Sequence, residues 1–121
     1  MLYGLQDDRE KTTEQYVRGL FKVRQPEWLI KDLQEDSRET PIGAAVSLYM
    51  DYFLGDRSNA LAHIDVPCLI MATSDTQAIG KYMESKILRP ELKVIEGAGS
   101  AMFLDKPQAF NQALEAFLGE Y

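Results

Sequence analysis

Two short apolar runs separated by one amphipathic stretch limit what the second half of this chain can become. Cys68-Leu69-Ile70-Met71-Ala72 follows Pro67 and stops at Thr73-Ser74-Asp75, and Leu92-Lys93-Val94-Ile95 follows Pro90 and stops at Glu96-Gly97. Both are short and bounded by turn-forming residues, so both read as strands. Between them, roughly Thr76 to Ile87, the residues Ile79, Tyr82, Met83 and Ile87 recur at helical spacing, and Pro90 breaks the pattern. Strand, helix and strand in succession predict a parallel pair joined by a crossover. An unbroken apolar run such as Cys68 to Ala72 is the pattern of a strand buried on both faces. A closing helix is expected from about Lys106 to Leu118, capped by Asp105, with Phe110, Leu114, Phe117 and Leu118 inward.

The first half reads as helical. Thr13, Tyr16, Val17, Leu20 and Phe21 repeat at helix spacing behind Asp7 and Asp8, whose charge suits a helix start. Pro26 can open a second helix with Trp28, Leu29 and Leu33 inward and Lys31, Asp32 and Glu35 outward. Thr40-Pro41 reads as a cap and first-turn proline for a third. Its stripe is Ile42, Ala45, Val46, Tyr49, Met50 and Phe53, stopped by Gly55. The expected order is three helices, then β-α-β-α, within one domain over residues 1–121.

Composition narrows the function. A net charge of −6 speaks against a nucleic-acid or anionic-membrane surface, since both need basic patches. No apolar run approaches the ~18 residues of a membrane span, and the N-terminus has no signal-peptide pattern. Cys68 is the only cysteine, so no intrachain disulfide forms, and a cytoplasmic location is expected. One histidine, His63, and one cysteine make no zinc site, and no phosphate loop or dinucleotide fingerprint occurs. No cofactor and no metal are expected.

The words "ALAHIDVPCLIMATSDTQ" and "LKVIEGAGSAMFLDKPQAFNQALEAFL" resemble the C-terminal portion of the α/β-hydrolase superfamily. There, an I-x-V-P lead-in feeds a parallel strand followed by an acidic residue. A later strand ends in x-G-x-G-H, and the last helix carries P-x-x-F-N-x-x-L-x-x-F-L. The helical first half is similar to the cap segment of esterase-like and haloperoxidase-like members. The resemblance implies a partial α/β-hydrolase-like core over residues 61–121, preceded by a helical cap-like segment over residues 1–60. It places Asp75 near the catalytic acid, with a loop about one residue short of the usual spacing. It places Ser100 where the family has histidine. The Gly-x-Ser-x-Gly nucleophile turn that the chemistry requires occurs nowhere in the sequence.

A serine hydroxyl is no general base near neutral pH, so Ser100 does not replace imidazole. His63 precedes its strand, whereas α/β sites lie where strands end. Asp75 is expected to cap the helix that follows it. No catalytic residue is therefore expected, Asp75 and Ser100 being vestigial. The leading expectation is a non-catalytic, truncated α/β-hydrolase homologue. It would self-associate as a homodimer, because two parallel strands leave both sheet edges unpaired. The alternatives are the C-terminal component of an esterase-like hydrolase completed by a separate N-terminal half, and a regulatory protein pairing with an intact hydrolase. Neither nucleic acid nor membrane is an expected partner.

Overall fold

The computed structural model describes residues 2–121, and the chain divides into two compact units. The first takes residues up to Leu20 together with Arg24–Asp56, and the second takes Phe21–Val23 and Arg57–Tyr121.

The first unit holds four helices, α1 (Leu2–Asp7), α2 (Arg9–Gly19), α3 (Glu27–Glu39) and α4 (Ile42–Leu54). α2 starts where the acidic pair announced it: the Asp8 carboxylate accepts the Lys11 backbone N–H at 3.2 Å. Pro26 precedes α3, and its carbonyl accepts from Leu29 and Ile30. The Arg9 guanidinium donates to the carbonyls of Ser37 and Thr40, which closes the carboxyl end of α3. Leu5, Thr13, Val17 and Ile30 are the buried residues of this unit. α1 had no sequence signal. It rests on α2 so closely that a Cβ on Gly4 would overlap Thr12.

Several inward assignments fail here. Trp28 is exposed and Ile30 takes the buried position on α3. Thr40 is extended at the C-cap of α3 and does not cap α4, Pro41 standing at the N-cap of α4 with no side-chain cap. The residue before a proline is driven to extended backbone, which accounts for Thr40. α4 buries no residue: Ala45, Val46 and Tyr49 are half-buried, while Ile42, Met50 and Phe53 of the expected stripe are exposed. Gly55 does end the helix, its N–H meeting the Asp51 carbonyl at 2.8 Å.

The second unit contains a 3-10 turn at Ser58–His63, β1 (Cys68–Thr73), a second 3-10 turn at Ser74–Thr76, α5 (Gln77–Lys86), β2 (Pro90–Ile95), α6 (Met102–Asp105) and α7 (Pro107–Leu118). β1 and β2 pair in parallel, from Cys68 opposite Pro90 to Thr73 opposite Ile95. At the amino ends of the strands, Cys68 N–H bonds the Arg89 carbonyl at 3.0 Å, and the Arg89 guanidinium bonds the Asp65 carbonyl. α7 begins with Pro107 in its first turn, Lys106 standing at its N-cap. Asp105 is the last residue of α6, so it does not cap α7.

α5 lies on the sheet through Gly80. A Cβ there would stand 2.8 Å from Leu92 Cδ1 and 3.1 Å from Ala72 Cβ. This contact turns Ile79 and Tyr82 outward and leaves Ile87 buried. Hydrophobic spacing points to the large residues, whereas the closest approach belongs to the smallest. In α7, Phe110 and Phe117 are half-buried, but Leu114 and Leu118 are exposed. Gly80→Val is expected to lower stability by about 2 kcal/mol through overpacking, measured by urea unfolding. An unchanged midpoint would contradict this close approach.

Candidate functional site

Parallel strands in register end together, so the loops after Thr73 and after Ile95 leave from the same edge of the sheet. That edge is where α/β folds place their chemistry.

Its centre is Asp105, only 6 % exposed. Three backbone N–H groups donate to its carboxylate. Lys22 and Gly99 both reach Oδ2 at 2.7 Å, and Val23 reaches Oδ1 at 3.2 Å. A buried carboxylate is tolerable only when its lone pairs are filled in this way. The three bonds tie the strap Phe21–Val23 and the loop Gly97–Ala101 to one side chain. Because Lys22 and Gly99 share one oxygen, the strap and the residue before Ser100 are neighbours. Gly97 makes the turn at φ +71°, in the left-handed region that glycine enters at no steric cost. Ala98 and Gly99 then pass inside, and Ser100 is exposed.

The strap sets the fate of Asp75. Lys22 Nζ lies 2.6 Å from Asp75 Oδ2, an ion pair in which the Asp75 side chain is 72 % exposed. Asp75 lies within the 3-10 turn Ser74–Thr76 and does not cap α5, whose N-cap is Thr76 with no side-chain hydrogen bond; nor does Asp75 cap the turn. Thr73 and Thr76 do so as a reciprocal box, with Thr73 N–H bonding Thr76 Oγ1 at 2.9 Å and the two hydroxyls 3.0 Å apart. The structure thus gathers Asp75, Lys22, Ser100 and Asp105 at one edge. His63 ends the 3-10 turn that precedes β1, and is exposed. Cys68 is free and half-buried at the amino end of β1. Sequence reading missed Lys22, which no motif marks, and gave Asp105 the wrong task.

Chemically, a triad acid must accept a hydrogen bond from imidazole. Here the Asp75 carboxylate is held by an ammonium instead, and Ser100 offers a hydroxyl that cannot take a proton near neutral pH. No group of three or more His, Cys, Asp or Glu among the described residues could hold a metal ion. No helix among them is long and apolar enough to cross a membrane.

The first unit has its own polar cleft of about 150 Å³ between α2 and α3. Arg18 bridges Glu14 at 3.0 Å and Glu27 at 3.1 Å, and Arg38 stands 3.6 Å from Glu10. Hydrogen bonds from Arg18 lower the Glu27 pKa, and Glu27 in turn raises that of Arg18. A depressed carboxylate stabilises the fold above its unfolded pKa of about 4.3. That contribution fades as pH falls through the lowered folded value. The charges are paired with one another and lie at the surface, the arrangement of a solvated helix face.

No protein-family model matches this sequence, and no curated protein matches it. Solved structures do. An esterase from Exiguobacterium antarcticum superposes with a TM-score of 0.88 at 22% identity, over 98% of this chain and 46% of its own. A bromoperoxidase from Bacillus anthracis gives 0.88 at 18% identity, over 97% and 46%. A membrane phospholipase A described as a bacterial virulence factor gives 0.72 at 18% identity, over 92% and 38%. The chain therefore has the fold of the C-terminal portion of an α/β hydrolase, and it spans about half the length of the first two structures it matches.

Two substitutions separate structure from inheritance at this edge. Asp105→Ala removes the charged acceptor shared by Lys22, Val23 and Gly99, strands the buried Gly99 N–H, and is expected to cost about 3 kcal/mol or more. Asp75→Ala removes a surface ion pair and is expected to cost less than about 1 kcal/mol. Chemical denaturation of both variants checks the contrast, and equal losses would overturn the assignment of Asp105 as the anchor.

Proposed function

We propose that this chain is a non-catalytic α/β-hydrolase-fold protein that acts by association, with a second copy of itself as partner. The observation that carries the reading is the Lys22–Asp75 ion pair, in which the carboxylate that the resemblance sets near the acid position faces a cation that cannot relay a proton as imidazole does. Ser100 at the histidine position supports it, as does the lack of a nucleophile turn in these residues. Association is supported by exposed apolar side chains such as Tyr52, Phe53 and Leu54 on α4. The single free Cys68 supports a reducing compartment, the cytoplasm.

A second reading rests on coverage. A chain matching 46% of an esterase suits the C-terminal component of a hydrolase that a separate half completes. In that case the added half must supply both nucleophile and base, and Asp75 must exchange Lys22 for a histidine.

The purified chain is expected to hydrolyse short acyl esters no faster than a protein blank, before and after Ser100→His. Turnover that a serine-directed acylating inhibitor abolishes would refute the non-catalytic reading. Activity gained by Ser100→His alone would mean that a nucleophile already stands in this chain.

A further inference from the structure

We infer that the strap Phe21–Val23 is a latch. Asp105 holds its main chain shut, and the seated strap keeps the Lys22 ammonium on Asp75, so the loops after β1 and β2 come free together when the strap leaves. The inference needs neither catalysis nor association, and goes beyond both readings above.

Little besides Asp105 holds the strap. Lys22 and Val23 are exposed and Phe21 is half-buried, so its side chains bury little apolar surface. Its path is fixed through the main chain, by the Lys22 N–H on Asp105 Oδ2 at 2.7 Å and the Val23 N–H on Oδ1 at 3.2 Å. The acceptor is a buried carboxylate, to which such bonds are charge-assisted and strong. A segment with few buried apolar contacts, held by a few hydrogen bonds, opens locally while the rest of a fold stands.

Lys22 is held at both ends, and the two links differ in strength. Its ammonium lies 2.6 Å from Asp75 Oδ2, but both side chains are open to solvent, and an exposed ion pair contributes little by itself. The ammonium also rides on a flexible four-carbon stem. The side chain therefore does not hold the strap; the strap holds the side chain, because a pinned main chain limits how far the ammonium can stray. Gly99 N–H reaches the same Oδ2 as Lys22 N–H, so a turn of the Asp105 carboxylate that drops one drops the other. The order of dependence runs from Asp105 to the strap, to Lys22, to Asp75. Seated, the strap occupies Asp75. Released, it leaves that carboxylate open to a donor from another molecule and unties the loop Gly97–Ala101.

A water-soluble carbodiimide reads the latch. It activates a carboxylate, an amine in contact displaces the activated group as a urea, and an amide forms with net loss of one water. The wild-type chain is expected to give a bridge between Lys22 and Asp75, located by mass spectrometry of its peptides. A second bridge between Lys93 and Glu91, 3.4 Å apart, serves as internal control. Asp105→Asn should lower the first bridge about tenfold or more, the effect of losing a charge-assisted bond, and leave the control at its wild-type yield. Amide hydrogen exchange on the wild type gives an independent reading: Lys22, Val23 and Gly99 should share one opening equilibrium. Lys22→Gln, which keeps the main chain and removes the charge, should leave Gly99 exchange within about twofold of wild type. An undiminished Lys22–Asp75 bridge in Asp105→Asn overturns the latch. If that variant loses the control bridge as well, its fold has gone, and exchange on the wild type decides: Lys22 and Val23 opening far more often than Gly99 overturns joint release. Gly99 loosened about tenfold or more by Lys22→Gln reverses the order of dependence and overturns it too. A wild type that forms the control bridge and no Lys22–Asp75 bridge overturns the ion pair itself, and with it the observation that carries the non-catalytic reading.

Discussion

The buried Asp105 carboxylate is the interaction on which the second unit depends. Three N–H groups from two sequence-distant segments converge on it, Lys22 and Val23 from the strap and Gly99 from the loop after β2. Each is charge-assisted, worth on the order of 1.5–3 kcal/mol, and the Gly99 N–H would otherwise be a buried donor without an acceptor. Backbone donors are a stricter fastening than side chains, because they fix the path of the chain as well as its distance. The loop conformation, the position of Lys22 and, through Lys22, the state of Asp75 all descend from this one side chain.

The sheet has a second fastening at its other end. Arg89 joins the strands through its own carbonyl, which Cys68 holds, and through its guanidinium, which holds the Asp65 carbonyl. The two parallel strands are thus clasped at their amino ends by a cation, while at the other end an anion ties the loop after β2 to the strap, and both bind main-chain atoms. Between the clasps the packing is ordinary: Gly80 lets α5 close on Ala72 and Leu92, and Ile70, Ile87 and Ile95 are buried.

The strand-helix-strand order was legible because apolar runs bounded by Pro and turn residues are strong local signals. Cys68 to Ala72 extends by a single residue in β1, and β2 begins two residues before the expected Leu92. The helices α2, α3 and α4 start close to where Asp8, Pro26 and Pro41 announced them. Helix faces were less legible. Trp28, Ile79, Tyr82, Leu114 and Leu118 have the right spacing and still point outward, because burial depends on which neighbour arrives and on small residues such as Gly80. At the site, Asp75 and Ser100 stood out through the resemblance to hydrolase motifs. Lys22 did not, since nothing local tells a surface lysine from one whose backbone hangs on a carboxylate 83 residues away.

The strap has a consequence for how the chain can be divided. The polypeptide leaves the first unit at Leu20, contributes Phe21–Val23 to the second, and returns at Arg24 before crossing again at Asp56. Two units are therefore threaded by three covalent passages, and no single cut yields two pieces that each hold one whole unit. A fragment beginning at Arg57 would retain Asp105 and both strands but lose the Lys22 and Val23 donors to its carboxylate. The second unit as a fold is thus larger than any contiguous segment that encodes most of it.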